Sequence, residues 1–380
     1  MLHELGTKIA EARHSLGLNQ TDVAGKLGVA RTTLAEIETG ERKVTAEELY
    51  RLADLLQRPL DYFFGPSEGG AVFAFRLTGK EVDETARGAL VHLENRLTDL
   101  RRLERFSGVS VTSRLKQYRA DAWRNPTVAG RAVASLERSR LRLANSPIAD
   151  LRAVLEQRVK LLAFGDYRPK GDFSGAFGSD GQRSALLVNP LHIRGRVNFT
   201  LAHEYGHALI RGQGAQVELR GMLQDAEEQF ANAFAASFLM PMEAIEEAVE
   251  YAGIDLASMS ADQVLVLASQ FAVSFAAMLA RLEHFAIVDR THGVALRKAT
   301  KPVARLRELG LPDQREEFAA LPATYELLTY MAFHKAGISR SRMAEFLNLD
   351  PEAAYGRYLA WVSENLVRGT GGRGQPSAVA

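Results

Sequence analysis

Residues Phe199 to Ile210 read FTLAHEYGHALI. On an α-helix, positions four apart share a face, so His203 and His207 converge with Glu204 beside them. The flanking Phe199, Leu201, Ala202, Ala208 and Leu209 are apolar. They argue against a solvated helix carrying a surface pair of histidines. Buried imidazoles without a partner are costly. A chain with this stretch must therefore bury a helix and still provide for its polar face. The H-E-x-x-H spacing meets both demands when the two histidines bind zinc and the glutamate is a general base. Gly206 is expected to leave room on the metal side, and Asn198 or Thr200 to cap the helix start.

A catalytic zinc takes a third protein ligand and keeps one position open. The best candidate is Glu228, 21 residues after His207 in EEQFANAFAASFLMP, with Glu227 as runner-up. Asn232, four residues after Glu228, is placed to bond a ligand histidine and fix its tautomer. In this reading Glu204 takes a proton from a water that attacks a carbonyl. The run ALLVN (185–189) is either an edge strand that aligns a substrate backbone or an ordinary core strand, the second being better supported for its side chains. Tyr251, Arg281, His284 and His292 all stand open as oxyanion donors.

The rest of the chain sets bounds. Its 380 residues allow two or three domains, and an apolar fraction of 46% suffices for real cores. The sequence has no cysteine, which excludes disulfides and thiolate metal sites. No apolar run is long enough to span a membrane, and the first twenty residues lack the apolar core of a signal peptide. A cytoplasmic location is the expectation. Residues 5–64 form a helical block punctuated at Gly17, Gly28 and Gly40, and GPSEGG (65–70) reads as a linker. A single apolar stripe follows at Ala86, Leu90, Leu93, Leu97 and Leu100. From 128 to 292 the pattern is mixed: helices, then VKLLAF and ALLVN as strands, separated by a Gly/Asp-rich stretch (165–183). Residues 300–368 are helical again. ISRSRMAEFLNLDPEAAYGRYLAWV looks like a second helix-turn-helix-like pair, expected to serve packing or dimerisation, with His334 and Trp361 as core residues.

A second constellation is LNQTDVAGKLGVARTTLAEIETGERKV (18–44). A helix from Gln20 to Leu27, a turn at Gly28 and a helix from Ala30 to Glu38 have helix-turn-helix spacing. Arg31, Thr32, Thr33 and Glu36 open the second helix, the part that contacts base edges in such modules. Residues 1–65 hold 8 Lys/Arg against 10 Asp/Glu, net −2, so nonspecific attraction to DNA is weak. Residues 96–142 hold 12 Lys/Arg against 4 Asp/Glu, net +8, with Tyr118 and Trp123 interleaved. They read as solvated linker faces or as a nucleic-acid contact.

RVNFTLAHEYGHALI followed by EEQFANAFAASFLMP resembles the ImmA/IrrE family of metallopeptidases, over residues 128–290. Residues 5–64 resemble the Xre family of phage-type repressors. The first resemblance implies a zinc-dependent endopeptidase that cleaves a helix-turn-helix repressor in a stress, phage-defence or mobile-element response. Its ligands are then His203, His207 and Glu228, its base Glu204. Tyr205 departs from the family pattern, where leucine is usual; it changes bulk but no ligand. The second resemblance implies double-stranded DNA as a partner. Gln20, Arg31, Thr32, Thr33 and Glu36 would be contacts, with Arg13, Arg42 and Lys43 on phosphates. The expected fold is mostly α, with an N-terminal all-α helix-turn-helix domain (1–65) and a small α+β zincin-like peptidase domain (128–295). A helical linker (66–127), a C-terminal helical domain (296–368) and a disordered tail (369–380) complete it. No membrane partner is expected, and a homodimer is left open. The alternative is a non-cleaving Xre-family regulator or antitoxin whose peptidase-like domain is a sensor. An intact Glu204 weighs against it, because a pure sensor needs no base.

Overall fold

The computed structural model describes residues 2–58, 60–64, 74–77, 84–118, 125–169, 173–211, 222–254, 258–312 and 318–370. The GPSEGG linker, Arg119, Trp123, Arg124 and the tail beyond 370 lie outside them. The chain divides into two compact units, Met1–Asn95 with Thr112–Ala320, and Arg96–Val111 with Leu321–Ala380.

The first unit begins with five helices: α1 (Leu2–Ser15), α2 (Gln20–Leu27), α3 (Arg31–Thr39), α4 (Ala46–Leu55) and α5 (Leu60–Phe64). Their apolar stripes meet in a core that includes Ile9, Val23, Leu27, Leu34, Ile37 and Leu52, all at most 1% exposed. Local chemistry sets the breaks. Asn19 caps α2 in a capping box with Asp22, and Thr45 caps α4 in one with Glu48. Gly28 ends α2 at φ 82°, a left-handed conformation that glycine adopts without a Cβ clash. This gives the tight α2–α3 turn.

A strand β1 (Ala74–Leu77) follows, then the long helix α6 (Glu84–Ser107). The helical reading of 66–127 therefore missed a strand. It carries none of the period-2 apolar alternation that marks one, and its place comes from pairing antiparallel with β3. Next come α7 (Pro126–Arg140), α8 (Leu151–Val154) running into a π-helical turn (Leu155–Val159), β2 (Leu161–Phe164), β3 (Gly175–Ser179) and β4 (Ser184–Val188). The sheet order is β1-β3-β4-β2. β3 and β4 form an antiparallel hairpin, and β2 pairs parallel with β4. β4 is thus an interior strand with both edges used, so ALLVN is core and cannot align a substrate by its edge. β3, GAFGS, lies inside the Gly/Asp-rich stretch that was read as a separator. Its two glycines mask its pattern.

Helices α9 (Arg194–Arg211), α10 (Met222–Leu239), α11 (Met242–Tyr251), α12 (Ala261–Gln270), α13 (Phe275–His284), α14 (Arg290–Ala299) and α15 (Pro302–Glu308) complete this unit. They share one apolar cluster with β2, β3, β4 and α7. Small residues allow the closest crossings. A Cβ at Gly130 of α7 would meet the Phe230 carbonyl oxygen of α10 at 2.4 Å, and one at Gly195 of α9 would meet Ser274 N at 2.3 Å. α9 starts at Arg194, so Asn198 and Thr200 are inside it and cap nothing. Asn198 Nδ2 instead donates to Ala272 O at 2.8 Å.

The second unit joins the end of α6 to α16 (Ala323–His334), α17 (Arg340–Leu347) and α18 (Pro351–Thr370). Arg96, 5% exposed, donates to Tyr325 Oη and Phe346 O, both at 3.1 Å. His334 and Trp361 are not core residues. His334 is exposed with Nδ1 2.8 Å from Tyr358 Oη, and Trp361 stacks half-buried on Tyr358. Their positions on the outer faces of α16 and α18 keep them from the interior. Among the described residues, no single helix is long and apolar enough to cross a membrane.

Candidate metal centre and helix-turn-helix face

α9 carries His203, Glu204 and His207; α10 carries Glu228 and Asn232. A Cβ at Gly206 would meet Phe234 Cδ1 at 2.9 Å and Ala231 Cα at 3.4 Å. The room expected at Gly206 is thus filled by α10 and not left for an ion. The glycine serves the site indirectly, by letting the helix of Glu228 come close.

His203 Nε2 lies 3.0 Å from His207 Nε2. Glu228 Oε2 is 3.2 Å from His203 Nε2, and Glu228 Oε1 is 3.4 Å from His207 Nε2. One ligand atom from each residue falls within 4.8 Å of the others. His203 Nδ1 is 3.1 Å from Asn232 Oδ1. That oxygen only accepts, so Nδ1 holds the proton and Nε2 presents a lone pair to the cluster. A proton on His207 Nε2 satisfies one of these contacts at a time. A divalent cation that favours imidazole and carboxylate satisfies all three together, and the donor set suits zinc. The histidines are buried, while the Glu228 side chain is 31% exposed, so the cluster opens to solvent on that side. Glu228, not Glu227, joins the histidines.

Glu204 is fully buried, next to His203 in the chain and three residues before His207. A Cβ at Gly175 of β3 would meet Thr200 Cγ2 at 2.5 Å and Glu204 Cγ at 3.4 Å. Gly175 therefore lets a strand backbone lie against the turn that carries Glu204. The signal for this was Gly175 between Phe173 and Phe177 in FSGAFGS, hidden by the loop-like composition around it.

Tyr205 does more than add bulk. Its hydroxyl donates to Glu137 Oε2 and accepts from Arg140 Nη2 at 3.0 Å. Glu137, fully buried, also takes Tyr118 Oη at 2.7 Å and two bonds from Arg140 at 2.6 and 2.8 Å. Burial opposes the charge on Glu137, but these donors together hold its carboxyl below the usual range. Burial, then Glu137 itself, pushes both tyrosine hydroxyls well up. This network ties α7 and the segment before it to the helix of the two histidines. Outside that network, Arg138 of the basic run is also buried and donates to Phe238 O at 2.6 Å and Ala144 O at 2.7 Å.

The oxyanion candidates separate. Tyr251 is 93% exposed at the end of α11. Arg281 is buried, donating to Met240 O at 3.0 Å and Ser237 Oγ at 3.1 Å, and burial pushes it down to about 10. His284 Nε2 accepts from Arg131 at 2.5 Å. His292 lies in the first turn of α14, its backbone held by Asp289.

At the N-terminal block, Arg31, Thr32, Glu36 and Lys43 are exposed and Thr33 is half-buried. Gln20 Nε2 donates to Glu38 Oε2 at 2.9 Å. Arg42 is held by Glu48 at 2.9 Å. Arg13 is not available to a phosphate. It is 6% exposed, in a buried ion pair with Glu38 at 2.6 Å, because its α1 position faces α3 and not solvent.

Comparison with known proteins matches residues 9–63 to the helix-turn-helix family profile. Residues 167–283 match the M78 peptidase profile, described as the IrrE N-terminal-like domain. This chain joins a helix-turn-helix domain to an IrrE N-terminal-like domain. The match to the second takes in α9 to α13, and so all three residues of the metal cluster. A curated relative, an uncharacterized transcriptional regulator in the ATPase CF(0) region of Rhodospirillum rubrum, is 33% identical over 66 residues. That stretch is 17% of this chain and spans 61% of the relative's length. A crystal structure of Bacillus thuringiensis PlcR with the peptide PapR7 and DNA aligns at 9% identity, covering 97% of this chain and 98% of that one. Its TM-score is 0.18, too low to bear on any part of the chain.

Proposed function

We propose that this chain is a DNA-binding regulator whose IrrE-like domain is a zinc-dependent endopeptidase acting on a helix-turn-helix repressor or a related regulatory protein. The setting is a stress, phage-defence or mobile-element response. The observation that carries the reading is the convergence of His203, His207 and Glu228 with Glu204 on the same helix. A bound zinc supplies Lewis-acid activation there. The chain supplies the rest. His203, His207 and Glu228 hold the ion, and Asn232 keeps His203 in the tautomer that ligates. Glu204 accepts a proton from water and delivers it to the departing amine. On the DNA side, Arg31, Thr32, Thr33 and Glu36 present the start of α3 to base edges, Lys43 meets a phosphate, and Gln20 and Arg42 act from their bonds to Glu38 and Glu48.

The test is co-expression with neighbouring gene products, wild type against Glu204→Gln. The expected result is one neighbour shortened by the wild type alone, with about one zinc per chain in both proteins. If no neighbour is shortened, or if the Glu204→Gln protein shortens the same one, the peptidase reading fails.

A further inference from the structure

Beside the metal cluster lies a groove of about 700 Å³ that the proposed chemistry does not use. This is within the size range of sites that bury a ligand or a short peptide side chain. Its bed is made by small residues: Ala233 and Ala236 of α10 face Ala277 and Ala280 of α13. Phe199 of α9 also lines it. Alanines on two facing helices hold the walls apart without filling the space, which leaves width for a side chain from elsewhere.

Two features give the groove a direction and a preference. Asn232 and Phe199 line it; Asn232 bonds His203 Nδ1 and the Phe199 ring lies 6.5 Å from the His203 ring, so the groove adjoins the metal cluster on the His203 side. Its charged lining is all cationic: Arg131, Arg196 and Arg281, with His284 among them. Among the described residues, no aspartate or glutamate lines it. Arg131 and Arg196 are exposed at its rim, with Arg131 bonded to the His284 ring and Arg196 to Ser174 Oγ. An apolar bed with a cationic rim complements an apolar side chain with carboxylates beside it.

We propose that this groove binds the substrate segment next to the bond cleaved, and that it selects an extended acidic peptide with a large apolar residue. The inference rests on the endopeptidase reading above. It adds to it a specificity set by Arg131, Arg196 and the alanine bed. Arg131 and Arg196 receive the flanking carboxylates, and the apolar side chain lies between α10 and α13. The groove wall at Asn232 then couples a correctly seated segment to the orientation of His203.

The probe is an end-blocked, fluorescein-labelled hexapeptide with a central leucine and two acidic residues on each side. Matched peptides carry glutamine or lysine in place of the acidic residues. Binding is read by fluorescence anisotropy on zinc-loaded Glu204→Gln protein, so that it does not depend on turnover. The acidic peptide should bind at least about tenfold tighter than the lysine peptide. The double substitution Arg131→Glu with Arg196→Glu should reverse that order. Ala280→Trp, at an exposed position, should abolish binding while zinc content stays unchanged. Equal binding of the three peptides, or an Ala280→Trp protein that binds as before, overturns the proposal. So does displacement of the peptide by a duplex oligonucleotide with the Arg131/Arg196 dependence, which would make the rim a phosphate surface. The two readings fail separately. Acidic-peptide binding without any shortened neighbour removes the peptidase and leaves the groove. A shortened neighbour whose cleavage ignores Ala280→Trp removes the groove alone.

Discussion

Arg13, Gln20 and Glu38 in the N-terminal block, and His203, His207 and Glu228 in the IrrE-like domain, are both polar clusters set among apolar helices. The first is complete. Glu38 accepts from Arg13 Nε at 2.6 Å, Arg13 Nη2 at 3.0 Å and Gln20 at 2.9 Å. Donors and acceptors match, and the charges cancel. The second gathers ring nitrogens and a carboxylate, groups that offer lone pairs, and the bond from His203 Nδ1 to Asn232 Oδ1 leaves His203 Nε2 as an acceptor. Burial of polar atoms is therefore no guide to function by itself. What distinguishes the two is the chemistry gathered: matched donors and acceptors in the first, lone-pair groups in the second. The first uses an apparent DNA-contact residue for stability, and the second has the donor set of a cation site.

The largest effect that tests this contrast is expected at Arg13. Arg13→Ala leaves Glu38 as a buried charge without its partner, and such breaks cost about 3–5 kcal/mol. Replacing both, Arg13→Met with Glu38→Leu, should restore most of that loss. Urea unfolding of the single and double variants measures it. A single variant within about 0.5 kcal/mol of wild type, the range of ordinary surface changes, would place Arg13 outside the core pair.

Zinc should act on the other cluster only. At a hundred times its dissociation constant a native-state ligand adds about 2.7 kcal/mol. Amide exchange in α9 and α10 should therefore slow on loading zinc and quicken with a chelator, while α1 to α4 stay unchanged. Exchange that ignores the metal in α9 and α10 would put the three donors together without a cation role. His203→Ala should remove the zinc response altogether.

Asn232 marks a middle step. Loss of a partner that orients a ligand histidine typically lowers metal affinity about 10–100-fold. Asn232→Ala should do so in a competitive chelator titration, whereas Asn232→Asp, which keeps an acceptor at His203 Nδ1, should retain most of the affinity. Equal losses in both would assign Asn232 to packing and not to the tautomer.

Much of this site was legible in the residues. His203, Glu204 and His207 follow from helical spacing alone, and Glu228 with Asn232 from a second helix of matching periodicity. The α2–α3 turn was legible because Asn19, Gly28 and Thr45 are local signals. What escaped was set by tertiary contact. Gly206 and Gly175 look alike in sequence, yet one admits α10 and the other a strand. β1 and β3 lack the alternation of half-buried strands: β1 is placed by its pairing with β3, and β3 is buried on both faces. Arg13 was misread for the same reason: its charge is visible in sequence, but the Glu38 that neutralises it is 25 residues away. The Tyr205 hydroxyl likewise finds Glu137 68 residues away.

The smallest effect is at Gln20, and it bears on where the two kinds of cluster overlap. Gln20 is both a candidate base contact and the third member of the Arg13–Glu38 group. Removing one neutral donor from a carboxylate that keeps its arginine should cost about 1 kcal/mol, the usual net worth of a hydrogen bond. Gln20→Ala should lower the unfolding free energy by that amount, seen as a lower urea midpoint, while Thr32→Ala, on an exposed side chain, should leave the midpoint unchanged. Both should weaken binding to the operator once that sequence is selected from random duplexes. If Gln20→Ala weakens DNA binding with no change in midpoint, the bond to Glu38 is not made in solution and Gln20 belongs to the reading face alone. If it lowers the midpoint and leaves DNA binding intact, Gln20 joins Arg13 as a residue whose DNA-contact appearance in sequence is structural in the fold.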